Sequence, residues 1–151
     1  MLPKSFSKCK IMTAFAFITR YRYTRAKGQR RRTHNVKIGI LEHSHICEGR
    51  TAADTLRETT ILAQEGERWG YSRFWMSEHH ATGALASSSP EILIAHVAAA
   101  TSRIRVGSGG VMLPHYSAYK VAENFRLLEA LHPDRIDPGL GRAPGGMPIS
   151  T

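Results

Sequence analysis

An α/β fold built on a parallel sheet is what this sequence predicts, on three observations. Four segments rich in strand formers, residues 37–42 (KIGILE), 72–78 (SRFWMSE), 103–113 (RIRVGSGGVML) and 135–140 (RIDPGL), alternate with three helical patterns. Their starts are 35, 31 and 32 residues apart, the length of one β-α-β unit. Alternation of this kind favours parallel strands. Eight such units make roughly 250 residues, the usual size of a (β/α)8 barrel, and the 151 residues here have room for four. A doubly wound sheet is the competitor. Its dinucleotide fingerprint is missing, because Gly107-Ser108-Gly109 is followed by Met112 and Gly139-Leu140-Gly141 by Pro144, where G-x-G-x-x-G needs glycine.

The helical patterns carry their own start and stop signals. Residues 51–69 place Leu56, Ala63 and Trp69 near one face and stop at Gly70, a residue suited to ending a helix. The second helix has the clearest start: Ser89 as N-cap, Pro90 where its missing N–H costs nothing, and Glu91 complementing the helix dipole. The third repeats Val121, Phe125 and Leu128 at helical spacing and ends before Pro133.

The formal charge of +9 is unevenly placed. Residues 1–36 hold ten Lys/Arg and no acid; the remainder holds eleven Lys/Arg against twelve Asp/Glu. A folded domain that reads nucleic acid carries its cations on its elements, so nucleic acid is not the expected partner. Residues 1–35 read as a basic, disordered extension or a misassigned start, with an organellar transit peptide as an alternative, and residues 36–151 as the folded unit. The longest apolar run, residues 11–18, is far short of the roughly 20 that a membrane helix needs. Two cysteines, Cys9 and Cys47, are too few for a disulfide framework and point to a reducing compartment.

In parallel α/β folds ligands sit beyond the carboxyl ends of the strands, and the unusual residues of this chain collect there. The first strand runs into Glu42-His43-Ser44-His45, the second into Glu78-His79-His80, the third into Gly109-Gly110 and then Leu113-Pro114-His115, the fourth into Gly141-Arg142. Adjacent histidines in extended chain point to opposite faces, and no H-E-x-x-H is present, so no metal site is expected. An acid/base or hydrogen-bonding role at neutral pH suits them better. Glycine weakens strands, so Gly109-Gly110 marks either close approach of the backbone to a ligand or tight packing. Arg142, with a neighbouring glycine, suits a phosphate.

KIGILE, GYSRFWMSEHH, ASSSPEILIAHVAAAT, RIRVGSGGVMLPHYSAYKVAENFRLLEAL and RIDPGLGRAPG, in that order, resemble the amino-terminal half of the bacterial luciferase-like flavin monooxygenases. The resemblance implies about four units of a (β/α)8 TIM barrel, truncated after residue 151, in a family that is usually cytoplasmic and often forms homodimers. It implies reduced FMN, or in some branches F420, with O2 and a small organic substrate as reactants. Carried over, His79 becomes the catalytic histidine, with Glu78 and His80 as pocket residues beside it. Gly109 and Gly110 match a non-proline cis peptide under the flavin ring, and Arg142 an arginine near the flavin phosphate. A non-catalytic half barrel is the remaining alternative. Three residues depart from the pattern: Gly141 stands where luciferase has cysteine, Pro138 interrupts the fourth strand, and Asp134 replaces a common glycine.

Overall fold

The computed structural model describes residues 15–19 and 37–143. In chain order the elements are β1 (Phe15–Thr19), β2 (Lys37–Glu42), α1 (Ala52–Arg68), β3 (Arg73–Met76), α2 (Pro90–Ala99), β4 (Arg105–Ser108), β5 (Val111–Met112), a 3-10 turn (Leu113–His115), α3 (Ala118–Leu131), β6 (Ile136–Asp137) and β7 (Leu140–Gly141). The main sheet has the order β1-β2-β3-β4-β6, and β2, β3, β4 and β6 are mutually parallel. That order follows the chain without reversal. A doubly wound sheet reverses at a switch point, so the arrangement is an arc of barrel, with α1, α2 and α3 as its outer layer.

Alternation along the strands separates two faces. Ile40, Phe74, Met76, Val106 and Ile136 point toward the helices, where Leu62, Ala63, Ile94, Val97, Val121, Phe125 and Leu128 close the core. The other face carries Leu41, Trp75 and three charged side chains. Trp75 lies across two glycines: a Cβ on Gly107 would come within 2.7 Å of its ring, and one on Gly39 within 3.3 Å of its Nε1. Below it, Asp137 Oδ2 accepts from Arg73 Nε and Arg105 Nε, each at 2.9 Å, joining β3, β4 and β6. Burial opposes the charge on Asp137, but the two guanidinium groups outweigh it and hold the carboxyl below its ordinary range.

Several sequence expectations are corrected in detail. Of the stretch expected to be disordered, Phe15–Thr19 is a strand antiparallel to β2. FAFIT is rich in strand formers, and it covers an edge of β2 otherwise left open. Residues 1–14 and 20–35 lie outside the described residues. The predicted third and fourth strands each break in two, β4/β5 at Gly109-Gly110 and β6/β7 at Pro138-Gly139, and β5 pairs with β7 in a sheet of its own. Proline has no N–H for the ladder. Trp69 is not on the buried face but is the exposed C-cap of α1, followed by Gly70 at φ 82°. Ser89 is the N-cap of α2 by position, yet its hydroxyl makes no cap bond. The unforeseen cap is on α1, where Thr51 and Asp54 form a reciprocal capping box. Asp134 has φ 61°, which explains the glycine common there. Cys47 is disulfide-bonded, where the cysteine count pointed to thiols kept reduced.

Candidate functional site

The strand ends converge because the loops that leave them interlock. The Ile46 N–H donates to the Ala84 carbonyl at 2.8 Å and the Ala86 N–H to the Ser44 carbonyl at 2.9 Å, tying the loop after β2 to the loop after β3. Across the gap between those strands the Ser77 N–H donates to the Glu42 carbonyl at 3.1 Å. Ser44 takes a positive φ of 54° there, and its N–H donates to Glu42 Oε1 at 2.6 Å.

Glu78 is the anchor of the second strand end. Its side chain has no exposed surface, and its carboxylate accepts from His80 Nε2 at 2.6 Å, the Met112 N–H at 2.9 Å and the Tyr116 hydroxyl at 2.7 Å. The carboxylate orients His80 and ties Met112 of β5 and Tyr116 to the end of β3. His80 and His115 stack with ring centroids 4.7 Å apart. Burial, then the Glu78 carboxylate, pushes the Tyr116 phenol up. Tyr116 escaped the sequence reading, which stopped at His115, one residue short.

His79 points elsewhere, as alternation requires. It is half-buried, and its ring centroid lies 5.7 Å from that of His43, whose Nδ1 is 2.9 Å from Ser77 Oγ. The His45 ring centroid is equally close to that of His43, at 5.7 Å. Among the described residues, no three or more of His, Cys, Asp and Glu are arranged to hold a metal ion.

The Gly109–Gly110 peptide bond is cis. Packing explains why both residues are glycine: a Cβ on Gly109 would sit 2.9 Å from Leu41 Cδ1, and one on Gly110 2.8 Å from the Gly139 backbone. Ser108, fully buried, completes that junction; its Oγ donates to the Gly139 carbonyl at 2.8 Å and accepts from the Gly139 N–H at 2.9 Å. Ser108 was not singled out in the sequence, since its partner lies 31 residues away. Arg142 is exposed directly after Gly141, which pairs with Met112, so it stands at the same end as Glu78 and His80. It makes no ion pair among the described residues.

A groove of about 780 Å³ lies elsewhere, between α1 and α2, lined by Leu56, Ile61, Ile92 and His96 among others. It contains none of the strand-end residues. In parallel α/β folds ligands bind beyond the carboxyl ends of the strands, which is the end at which the polar residues converge.

Residues 36–149 match the family model of the luciferase-like monooxygenases. The chain belongs to this family. Among curated relatives, the protein YwcH of Bacillus subtilis is 66% identical over 77% of this chain, and the N-acetyl-S-alkylcysteine monooxygenase of the same bacterium 57% identical over 77%. This luciferase-like chain spans about a third of their length, 35% in each case. Among solved structures, apo-MsnO8 superimposes with a TM-score of 0.73 at 52% identity, covering 77% of this chain and 35% of its own. The oxygenating constituent of 3,6-diketocamphane monooxygenase from Pseudomonas putida, in complex with FMN, gives 0.62 at 27% identity, covering 68% and 28%. An F420-dependent secondary alcohol dehydrogenase shares the fold, with a TM-score of 0.56 at 20% identity, covering 74% and 33%. No helix among the described residues is long and apolar enough to cross a membrane.

Proposed function

We propose that the strand-end cluster is the amino-terminal part of a reduced-FMN site in a monooxygenase that oxygenates a small organic substrate. Family membership supports an oxygenase, and a relative of the same fold holds FMN. The observation that carries the reading is the grouping, at one sheet end, of half-buried His79, anchored His80, the Gly109-Gly110 backbone and an exposed Arg142. This donor set fits a flavin mononucleotide: a guanidinium without an acidic partner among the described residues suits the phosphate, and imidazoles beside bare glycine backbone suit a flat polar ring.

When bound, reduced FMN supplies the electrons that let O2 give one oxygen atom to the substrate and the other to water. Arg142 binds the phosphate, Gly109-Gly110 line the ring, Glu78 fixes the orientation of His80, and His79 holds or moves a proton at its imidazole.

Titration of the full chain with FMN, and separately with F420, followed by flavin fluorescence, tests the reading. FMN binds, and Arg142→Ala weakens it about tenfold or more, the scale of one charge-assisted hydrogen bond. A folded sample that binds neither cofactor overturns the reading, and one that binds F420 alone replaces FMN with it. His79→Ala keeps the affinity and loses substrate-dependent oxygen uptake; unchanged uptake removes His79 from the chemistry.

A further inference from the structure

His43 stands at the centre of three imidazoles. Its ring centroid is 5.7 Å from those of both His45 and His79, and Nδ1, 2.9 Å from Ser77 Oγ, fixes the plane of the ring. Ser77 is itself buried, and its N–H is tied to β2 through the Glu42 carbonyl. The arrangement joins two strand ends through side chains 34 residues apart. At these separations a charge on one imidazole discourages a charge on the next. Burial, then His45 and then His79, hold His43 below the ordinary histidine range, against the opposing pull of Glu42. His43 therefore returns a proton more readily than an ordinary histidine, and its half-exposed position lets water receive it.

We propose that His43 is the proton partner of His79: a positioning residue, oriented by Ser77, that takes up the proton His79 releases and passes it to solvent. An N–H bond on the His79 imidazolium breaks as one forms on His43, so the pair carries one positive charge before and after the transfer. This deepens the function proposed above and rests on its assignment of His79.

Two measurements on the full chain decide it. The first follows the histidine Cε1–H resonances by NMR across pH and needs no flavin. Removing a like-charged neighbour raises the pH at which a base titrates, so His79→Gln moves the His43 midpoint up by about half a pH unit or more. The more conservative His79→Asn does the same. An unmoved midpoint in both overturns the proposal. The second uses the flavin-loaded enzyme with His43→Gln, whose amide keeps a partner for Ser77 but does not titrate. FMN affinity and KM stay within twofold, kcat falls about tenfold, and the acid limb of the pH–rate profile moves; a profile superimposable on the parent overturns the proposal. A chain that binds no flavin overturns the function proposed above, while the resonances alone still decide whether His43 and His79 are coupled.

Discussion

Glu78 has no exposed surface, yet three groups from separate parts of the chain donate to it. The sequence singled out Glu78 and His80 by their place at a strand end. That they form an anchored pair, closed by Tyr116, depends on contacts 34 and 38 residues apart that no local pattern encodes. In Glu78→Gln one carboxylate oxygen becomes an NH2 that faces a donor. The expected loss is about 1–3 kcal/mol of folding stability, read from urea denaturation. Tyr116→Phe removes one donor from a buried charge and costs a similar amount. The two substitutions share a partner, so their costs do not add. In Glu78→Gln the phenol of Tyr116 also loses the carboxylate that pushes it up, and tyrosinate absorbance should appear at lower pH than in the parent. An unchanged titration would separate Tyr116 from Glu78.

The strand rhythm was legible at the level of elements because each β-α unit buries its own apolar face. Helix α3 shows this most plainly, with Val121, Phe125 and Leu128 buried as their spacing requires. Where β4 and β6 break was not legible, since the cause is backbone meeting backbone across the sheet. Gly107 is the clearest case: a Cβ there would lie 2.3 Å from the Asp137 carbonyl oxygen and 2.7 Å from the Trp75 ring. Gly107→Ala therefore forces β4 away from β6 or displaces the indole, at a cost of about 1–3 kcal/mol. Gly83 offers the control, for a Cβ there meets nothing within 4 Å. Gly83→Ala should leave stability within about 0.5 kcal/mol of the parent. Equal urea midpoints for both variants would show that the concave face of the sheet has slack that the geometry does not indicate.

At the scale of the whole molecule, three titrating groups link separate elements, and all three respond to acid in the same direction. Asp137 joins β3, β4 and β6 through Arg73 and Arg105. Glu67 on α1 accepts from the N–H groups of Ser102, Arg103 and Ile104 before β4; burial opposes its charge, but these bonds hold it below the ordinary carboxylate range. His43 links β2 to the end of β3 and is also depressed, chiefly by burial. A group whose pKa is lower folded than unfolded binds more protons when unfolded, so its contribution is present above the unfolded value and lost as pH falls through the folded one. The histidine loss begins below about pH 6.5 and the carboxylate losses below about pH 4. Urea midpoints measured across this range should therefore fall in two stages on acidification, shallow and then steep. His43→Gln should remove the shallow stage and Asp137→Asn reduce the steep one, while Asp137→Asn also lowers stability at neutral pH by leaving two guanidinium groups without their carboxylate. A midpoint that stays level from neutral pH down to about pH 4 and is unaffected by His43→Gln would show that the imidazole cluster stores no such linkage.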